Sequence, residues 1–244
     1  MMKYVYVHNI KVPSYGLIVI FGVMICNLIS LWITKKKQID LASFLKVEMI
    51  GTLGSIVGAR FLAVISHVLQ WKLAGDSIDN IFTSSYYYFG GLAGFFLALN
   101  IYMRKKQIDL ELYIHNFLFV VPLLHFFWKI GCFMGGCCYG IPYGGFGAVV
   151  FPKDVNVLSG TMVFPIQLIE AVGVLVISVW IFVNKDNQQI SLVGLFLLLY
   201  GIERLGLEFL RYHTNSVAFI IGSLCAAACA AVGIVFISNR RRNT

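Results

Sequence analysis

One run of polar residues in the last third of the chain has a spacing suited to anion chemistry. Tyr200, Arg204 and Glu208 follow one another at intervals of four, so they lie on one face of a helix. A guanidinium fork matches phosphate oxygens better than an ammonium group does, and Glu208 would hold the guanidinium in place. The same residues could instead form an ion pair that only fixes helix packing. The pattern predicts one or the other, with Arg204 at its centre.

Three of the six cysteines lie in the glycine-rich run 131–140. Cys132, Cys137 and Cys138 allow four interpretations: small residues in a tight turn, a disulfide, a thiolate nucleophile activated by Lys129, or a zinc site. Zinc is the least favoured because four intervening residues followed by an adjacent pair is not a standard ligand spacing. We therefore expect no metal and no cofactor.

His125 and Lys129 precede this run at helical spacing, within an apolar stretch. An ionisable side chain at mid-bilayer costs about 2.5–3.5 kcal/mol, so each needs a partner or a use. A histidine in such a stretch is commonly a packed hydrogen-bonding group. Lys129 lies near the end of the stretch and could extend to the membrane interface.

The elements that carry these residues are predicted to lie in lipid. Hydrophobic residues make up 59% of the 244 residues and charged residues 12%, against roughly 25% charged in soluble domains. The mean hydropathy is +0.83. The net charge of +8 is gathered in basic clusters at 35–37, 104–106 and 240–242. Such clusters beside apolar spans indicate contact with anionic lipid and no nucleic-acid partner.

Seven stretches are long and apolar enough to cross the hydrocarbon core, which takes about 20 helical residues. They are residues 14–33, 44–69, 86–103, 114–134, 165–183, 191–210 and 216–238. The basic clusters follow the first, third and seventh stretches, which places them on one side, the cytoplasmic side. The sequence predicts an all-α, polytopic integral membrane protein: seven transmembrane helices, N-terminus out and C-terminus in, in a single domain over 1–244.

Three further features concern the connections between spans. Outer segments near 71–85 and 135–164 are long enough to be structured, and the second is rich in glycine, which suits backbone that lines a cavity. The hexapeptide KKQIDL occurs at 36–41 and at 105–110, which we interpret as a shared solution for a short connector. We expect no cleavable signal peptide, because residues 1–11 are polar and aromatic.

Six motifs, in order along the chain, resemble those of a known family. They are YGL at 15–17, GAR at 58–60, GGLAG at 90–94, KIG at 129–131, FPIQLIEA at 164–171 and YGIERLGLE at 200–208. Together they resemble the prolipoprotein diacylglyceryl transferases of bacterial inner membranes, whose members also have seven spans with the N-terminus outside. The resemblance covers most of the chain.

The resemblance implies a reaction and a site. The family moves a diacylglyceryl group from phosphatidylglycerol to the lipobox cysteine of a secreted precursor, forming a thioether and releasing glycerol phosphate. Both substrates and a multi-pass location in the bacterial cytoplasmic (inner) membrane are therefore expected here. Substrate binding is expected at Tyr15, Arg60, Gly90, Gly91, Gln167, Glu170, Tyr200 and Glu208. Catalysis is expected from Lys129 and Arg204. If a thiolate of the chain takes part, Cys137 and Cys138 are the expected catalytic residues as well.

The chain also departs from the family pattern at its reaction centre. Phe89 and Phe164 stand where the family has histidines, Lys129 where it has arginine, Cys132 where it has asparagine, and Cys137 near its acidic residue. Three hypotheses stay open. The protein performs the family reaction with a rebuilt centre, or it keeps the headgroup site and transfers to another acceptor through Cys137 or Cys138. The third is a non-enzymatic protein that handles lipid or thiol.

Overall fold

The computed structural model of the chain describes residues 4–7, 10–75, 87–151, 158, 160–187, 189–213 and 215–243. In these ranges the protein has eight helices and two small antiparallel sheets. The helices are α1 Ser14–Lys36, α2 Leu41–Ala74, α3 Tyr88–Lys106, α4 Leu110–Phe117, α5 Val120–Gly135, α6 Ile166–Asn184, α7 Leu192–Glu208 and α8 Ser216–Asn243. Strands β1 (Tyr4–Val7) and β2 (Ile10–Pro13) pair before α1, and β3 (Val149–Val150) pairs with β4 (Met162–Val163).

The all-helical prediction is confirmed, and the membrane character is confirmed in outline. Helices α1, α2, α6 and α8 are each long and apolar enough to cross a membrane, and the bent pair α4–α5 makes a fifth candidate. Large apolar side chains such as Ile20, Phe21 and Leu28 of α1 are exposed, as expected of a lipid-facing surface. Helix α3 ends in three basic residues and α7 has only 17 residues, so neither qualifies by length and composition.

The predicted fourth span is broken rather than continuous. Helix α4 ends at Phe117, α5 begins at Val120, and the two helices are bent by 42°. Pro122 explains the break, because it has no N–H with which to donate to the carbonyl four residues earlier. The carbonyl of Phe119, beside the break, accepts a hydrogen bond of 3.2 Å from the amide of Leu123 and a second one of 2.8 Å from Ser178 Oγ of α6. Residues 114–134, predicted as one membrane-spanning stretch, therefore belong to two helices.

The chain divides into two compact units. One contains residues 1–30, 115–212 and 227–244, and the other contains residues 31–114 and 213–226. The single domain predicted over 1–244 stays a prediction. The outer segment predicted near 71–85 lies outside the described residues from position 76 onward, as does part of the segment 135–164.

In the second unit, α2 and α3 pack through glycines. A Cβ atom added at Gly58 would collide with the carbonyl oxygen of Gly90, and one at Gly94 with that of Gly54. Small residues four apart let two helix backbones approach closely in a membrane. The glycines of the GAR and GGLAG motifs thus fix the α2–α3 distance.

The repeated hexapeptide forms the same connector twice. Gln38 and Gln107 both adopt left-handed backbone, with φ of 52° and 54°. The next amide donates to a carbonyl five residues back in each copy: Ile39 to Thr34 at 3.0 Å and Ile108 to Met103 at 2.9 Å. Asp40 and Asp109 then accept amide hydrogens of the following helix. Each copy therefore ends one helix and caps the next.

In the first unit, backbone hydrogen bonds hold the segment that follows α5. The amide of Gly140 donates to Phe164, that of Ile141 to Leu210 and that of Tyr212 to Tyr139, at 3.0–3.2 Å. The Tyr139 ring also stacks on that of Tyr212 at 5.5 Å. These contacts attach the glycine-rich segment to the chain just before α6 and just after α7.

Candidate active site

Glu170 lies at the centre of a buried group of charges. Its Oε1 is 3.1 Å from His125 Nε2, and its Oε2 is 2.8 Å from Lys129 Nζ and 3.5 Å from Arg204 Nη1. With Glu208 these side chains form what we call the ionic cluster: His125, Lys129, Glu170, Arg204 and Glu208. All five are less than 9% exposed. Helices α5, α6 and α7 therefore meet around one carboxylate.

Arg204 is held as its spacing predicted. Its Nη2 donates to Glu208 Oε2 at 2.6 Å, one turn along α7. Its Nη1 is also buried and has no hydrogen-bond partner among the described residues, and its contact with Glu170 Oε2 at 3.5 Å is an ion pair only. One side of the guanidinium fork is thus fixed by protein and the other retains donor capacity.

Lys129 does not extend to an interface. The side chain is 6% exposed, and its ammonium group contacts Glu170. The alternative of an interfacial lysine was wrong, because α6 brings a carboxylate to the position that Lys129 reaches. His125, expected to be a packed hydrogen-bonding group, has that role against Glu170.

Tyr200 packs against the ionic cluster. Its ring meets that of His125 edge to face at 5.4 Å and stacks on Phe196 at 6.0 Å. Glu203 points elsewhere, toward Gly173 of α6. Both oxygens of Glu203 are buried without a hydrogen-bond partner in the described residues.

Gln167 connects the ionic cluster to the cysteines. It lies one turn before Glu170 on α6 and is fully buried. Its Nε2 donates to the carbonyl of Cys137 at 2.8 Å. Its Oε1 has no hydrogen-bond partner in the part of the chain that the structure describes. This residue therefore holds the segment after α5 and offers one acceptor to a ligand.

Cys132, Cys137 and Cys138 form a second group, the thiol cluster. Their three Sγ atoms lie within 4.8 Å of one another, and all three are free thiols. The disulfide interpretation is therefore not what the structure shows. The pKa of the Cys138 thiol lies well below its usual range, chiefly because Cys132 and Cys137 hydrogen-bond to it, with Arg211 and Lys129 contributing positive charge.

Tyr15, the predicted substrate-binding residue of α1, packs at the thiol end of α5. Its ring lies edge to face with that of Trp128 at 6.2 Å. A Cβ atom added at Gly131 or Gly135 would contact the Tyr15 side chain at 3.2 Å and 3.4 Å respectively. The glycines of the KIG run and of the α5 terminus thus make room for this tyrosine.

The remaining predicted residues lie in the other compact unit. Arg60 lies on α2 with Ile56, Val57, Phe61 and Val64, around a shallow apolar groove. Gly90 and Gly91 are buried in the α2–α3 contact, which gives them a packing role. Their assignment to substrate binding, like that of Arg60, stays a prediction.

The contact between Glu170 and Lys129 was not foreseen, since the two residues are 41 positions apart. The family resemblance assigned a catalytic role to both Lys129 and Arg204, but it did not indicate that one carboxylate of another helix lies between them. In the structure both cations face the same carboxylate. The sequence offered one signal for this pairing: a charged side chain buried in the membrane needs a partner of opposite charge.

The family assignment rests on a match over nearly the whole chain. The model of the family described as prolipoprotein diacylglyceryl transferase matches residues 3–238. The chain belongs to this family. The relatives include proteins named phosphatidylglycerol–prolipoprotein diacylglyceryl transferase. The one from Clostridium tetani is 22% identical over 205 residues, which cover 83% of this chain and 82% of the relative. The one from Xanthomonas axonopodis pv. citri is 26% identical over 231 residues, covering 84% and 78%.

The thiol cluster contains two of the positions at which the motif resemblance indicates a departure from the family pattern. By that resemblance, Cys132 stands in place of an asparagine and Cys137 lies near the position of an acid. Lys129, the replacement for the signature arginine, precedes Cys132 by one helical turn. Three of the five substituted positions, 129, 132 and 137, thus lie in one segment of the first unit, and Lys129 also belongs to the ionic cluster.

Proposed function

We propose that this protein is a diacylglyceryl transferase that moves the diacylglyceryl group of phosphatidylglycerol to the cysteine thiol of a lipoprotein precursor. The observation that carries the proposal is Arg204. One arm of its guanidinium is fixed by Glu208, and the other, Nη1, is buried without a hydrogen-bond partner in the described residues. A phosphate oxygen is the natural acceptor for such a donor.

The charges of the ionic cluster suit the departure of a phosphate. Lys129 and Arg204 stand against Glu170 and Glu208, so the cluster is close to neutral when His125 is uncharged. As the bond to phosphate breaks, negative charge grows on the leaving oxygen, and cations held in a dry site stabilise that charge. We also assign to Gln167 Oε1, which is buried without a partner in the described residues, the role of accepting a hydrogen bond from a glycerol hydroxyl.

The predicted topology supports the same reaction. We propose seven spans with the N-terminus outside and the C-terminus inside, counting α4–α5 as one span. Lys129 and Cys132 lie in the last two turns of α5, Gln167 and Glu170 in the first turns of α6, and Arg204 and Glu208 in the last turns of α7. In this orientation all six lie toward the outer face of a bacterial cytoplasmic membrane, where a lipobox-bearing precursor peptide would arrive.

Two measurements test the proposal. In cells depleted of their own transferase, the wild-type chain is expected to restore growth and lipoprotein modification. With purified protein, phosphatidylglycerol vesicles and a single-cysteine lipobox peptide, mass spectrometry is expected to show the diacylglyceryl thioether. Absence of both, with the protein present in the membrane, would contradict the transferase assignment. An adduct on Cys137 or Cys138 of the chain itself would favour transfer to another acceptor.

Arg204→Lys tests the phosphate contact within that assay. Lysine keeps the charge but cannot bond Glu208 and a phosphate oxygen with one planar fork. Hydrogen bonds to charged groups contribute about 1.5–3 kcal/mol, so kcat/KM is expected to fall about 10- to 100-fold. Arg104→Lys, the same exchange at an exposed position at the end of α3, is the matched control. Equal activity of the two variants would exclude Arg204 as the phosphate ligand.

A further inference from the structure

The transfer reaction proposed above leaves the thiol cluster without a role. Its three Sγ atoms lie within 4.8 Å of one another. Tetrahedral zinc with Zn–S bonds of about 2.3 Å holds neighbouring sulfurs roughly 3.8 Å apart. Small rotations of the three side chains therefore bring all three sulfurs into the coordination shell of one ion.

The backbone after α5 is shaped so that the thiols converge. Gly136, with φ of 70°, turns the chain back at the end of the helix, and Cys138 also adopts left-handed backbone, with φ of 57°. The amide of Cys137 donates a hydrogen bond of 3.1 Å to the carbonyl of Cys132. The carbonyl of Cys137 in turn accepts a hydrogen bond from the side chain of Gln167. A non-glycine residue keeps a left-handed conformation only where its surroundings enforce it, and such residues concentrate at functional sites.

The surroundings of the thiol cluster supply the positive charge that bound thiolates need. Metal ligands must be deprotonated, and three thiolates with one Zn²⁺ carry a net charge of −1. Lys129 lies one turn before Cys132 on α5. Arg211 pairs through its backbone with Gly140, two residues after Cys138. Two cations therefore flank the cluster from opposite ends of the segment.

The cluster is closed on one side and open on the other. Cys132 is buried at 3% exposure, Cys138 is half-buried and Cys137 is exposed. Structural zinc sites are closed by four protein ligands, whereas catalytic sites have three and leave the fourth position to water or substrate. Three ligands with an exposed edge match the catalytic arrangement.

We propose that Cys132, Cys137 and Cys138 form a three-thiolate zinc site whose fourth position takes the thiol of the acceptor cysteine. The proposal rests on the transferase function proposed above. A free cysteine with a pKa of about 8.5 is only a few per cent thiolate at pH 7, whereas a thiol that coordinates zinc is deprotonated outright. The site would thus prepare the nucleophile that the transfer requires.

The step balances in atoms and electrons. The acceptor thiol loses its proton to water as its sulfur binds the ion. The thiolate sulfur then attacks the glyceryl carbon that carries the phosphate ester, so a C–S bond forms and the C–O bond breaks. The electron pair stays on the oxygen of the departing glycerol phosphate, next to the cations of the ionic cluster. The product is an uncharged thioether, a weaker ligand than a thiolate, and it leaves the ion.

The first test is the metal content of the full-length protein, purified in detergent from cells grown with added Zn²⁺. About one zinc per chain is expected. Cys132→Ser and Cys137→Ser are each expected to lower the zinc content at least 10-fold. Cys137→His, which keeps a zinc-binding side chain at an exposed position, is expected to retain part of it. Cys26→Ala and Cys225→Ala, which remove cysteines outside the cluster, are the matched controls.

Absence of zinc from a chain whose six thiols titrate as reduced would overturn the site. So would equal zinc loss in the Cys26→Ala control, or zinc content unchanged in Cys137→Ser. A disulfide among Cys132, Cys137 and Cys138 in protein purified without oxidant would overturn it as well.

The second test concerns the fourth ligand. The zinc is replaced by Co²⁺, whose visible absorption reports the number of thiolate ligands. A lipobox peptide with one cysteine is expected to shift this spectrum, and the same peptide with serine in its place is not. No difference between the two peptides would overturn the assignment of the acceptor thiol to the ion.

Transfer assays separate the failure of this inference from that of the proposed function. If zinc is required, its removal by a chelator lowers thioether formation at least 10-fold and added Zn²⁺ restores it. Undiminished transfer by zinc-free protein overturns the inference and leaves the transferase assignment intact. Zinc binding with the cysteine-dependent Co²⁺ shift, but no thioether product, supports the thiol-binding site and counts against the transferase.

Discussion

Glu170 has contacts with two other helices, so its charge is expected to matter for stability as well as for activity. Removing one partner from a buried ion pair leaves an uncompensated charge, at a cost of about 3–5 kcal/mol. Glu170→Gln is therefore expected to lower the apparent melting temperature of the protein in detergent. Glu111→Gln, at an exposed acid of α4, is the control, expected to change stability by less than about 0.5 kcal/mol.

A double-mutant cycle identifies the partner. Lys129→Met keeps a long side chain without the charge, and combining it with Glu170→Gln removes both members of the pair. Because residues in direct contact couple, the double variant is expected to be less destabilised than the sum of the two single variants, by about 0.5–3 kcal/mol. Additive effects would show that the 2.8 Å contact contributes nothing to stability.

At this scale, the sequence predicted contacts within a helix and missed those between helices. Arg204 and Glu208 meet because spacing along one helix dictates it. Lys129 and Glu170 meet because α5 packs on α6, a contact that no spacing contains. The thiols depend on the left-handed turn at Gly136. Their linear spacing argued against a metal site, although the folded chain brings their sulfurs together.

At the scale of the elements, α2 and α3 offer a prediction about helix packing. An added methyl group at Gly94 meets the backbone carbonyl of Gly54, which cannot move without displacing α2. Gly94→Ala is therefore expected to destabilise the protein by about 1–3 kcal/mol, the usual cost of overpacking. Thermal denaturation of the variant in detergent would measure this loss of stability.

Gly206→Ala is the matched control for that variant. Gly206 lies within α7, and a methyl group there meets nothing within 4 Å. Alanine favours helix over glycine by up to about 1 kcal/mol, so this variant is expected to be as stable as the wild type or more so. If Gly94→Ala and Gly206→Ala destabilised the protein equally, the loss of stability would come from replacing any glycine within a helix and not from the α2–α3 contact.

The elements themselves were largely predictable, and their interruptions were not. Apolar length located the long helices to within about five residues, because a helix that crosses lipid needs about 20 apolar residues. The break between α4 and α5 follows from Pro122, but proline inside a membrane helix is often tolerated. Nothing in the linear sequence indicates the hydrogen bond that the carbonyl of Phe119, at the bend, accepts from Ser178 of α6.

At the scale of the whole molecule, the proposed topology of seven spans makes a prediction about how the pair α4–α5 meets the membrane. Four helices qualify singly, and the bent pair α4–α5 is either one broken span or a re-entrant loop. The distinction decides on which side the thiol cluster lies. The positive-inside rule favours a crossing, because the basic clusters after α1, α3 and α8 then share one side, whereas a re-entrant pair would put the cluster after α8 on the other side.

A protease-recognition sequence inserted at two positions of the full chain separates the alternatives. One insertion lies between 106 and 107, after α3, and the other between 144 and 145, after α5, where an added Cβ at Gly144 meets nothing within 4 Å. If α4–α5 crosses the membrane, protease added to spheroplasts cleaves at 144–145 only, and protease added to inverted vesicles cleaves at 106–107 only. A third insertion between 185 and 186, after α6, is expected to follow the 106–107 pattern. Cleavage at 106–107 and 144–145 from the same side would make α4–α5 a re-entrant loop and would reduce the number of spans to six.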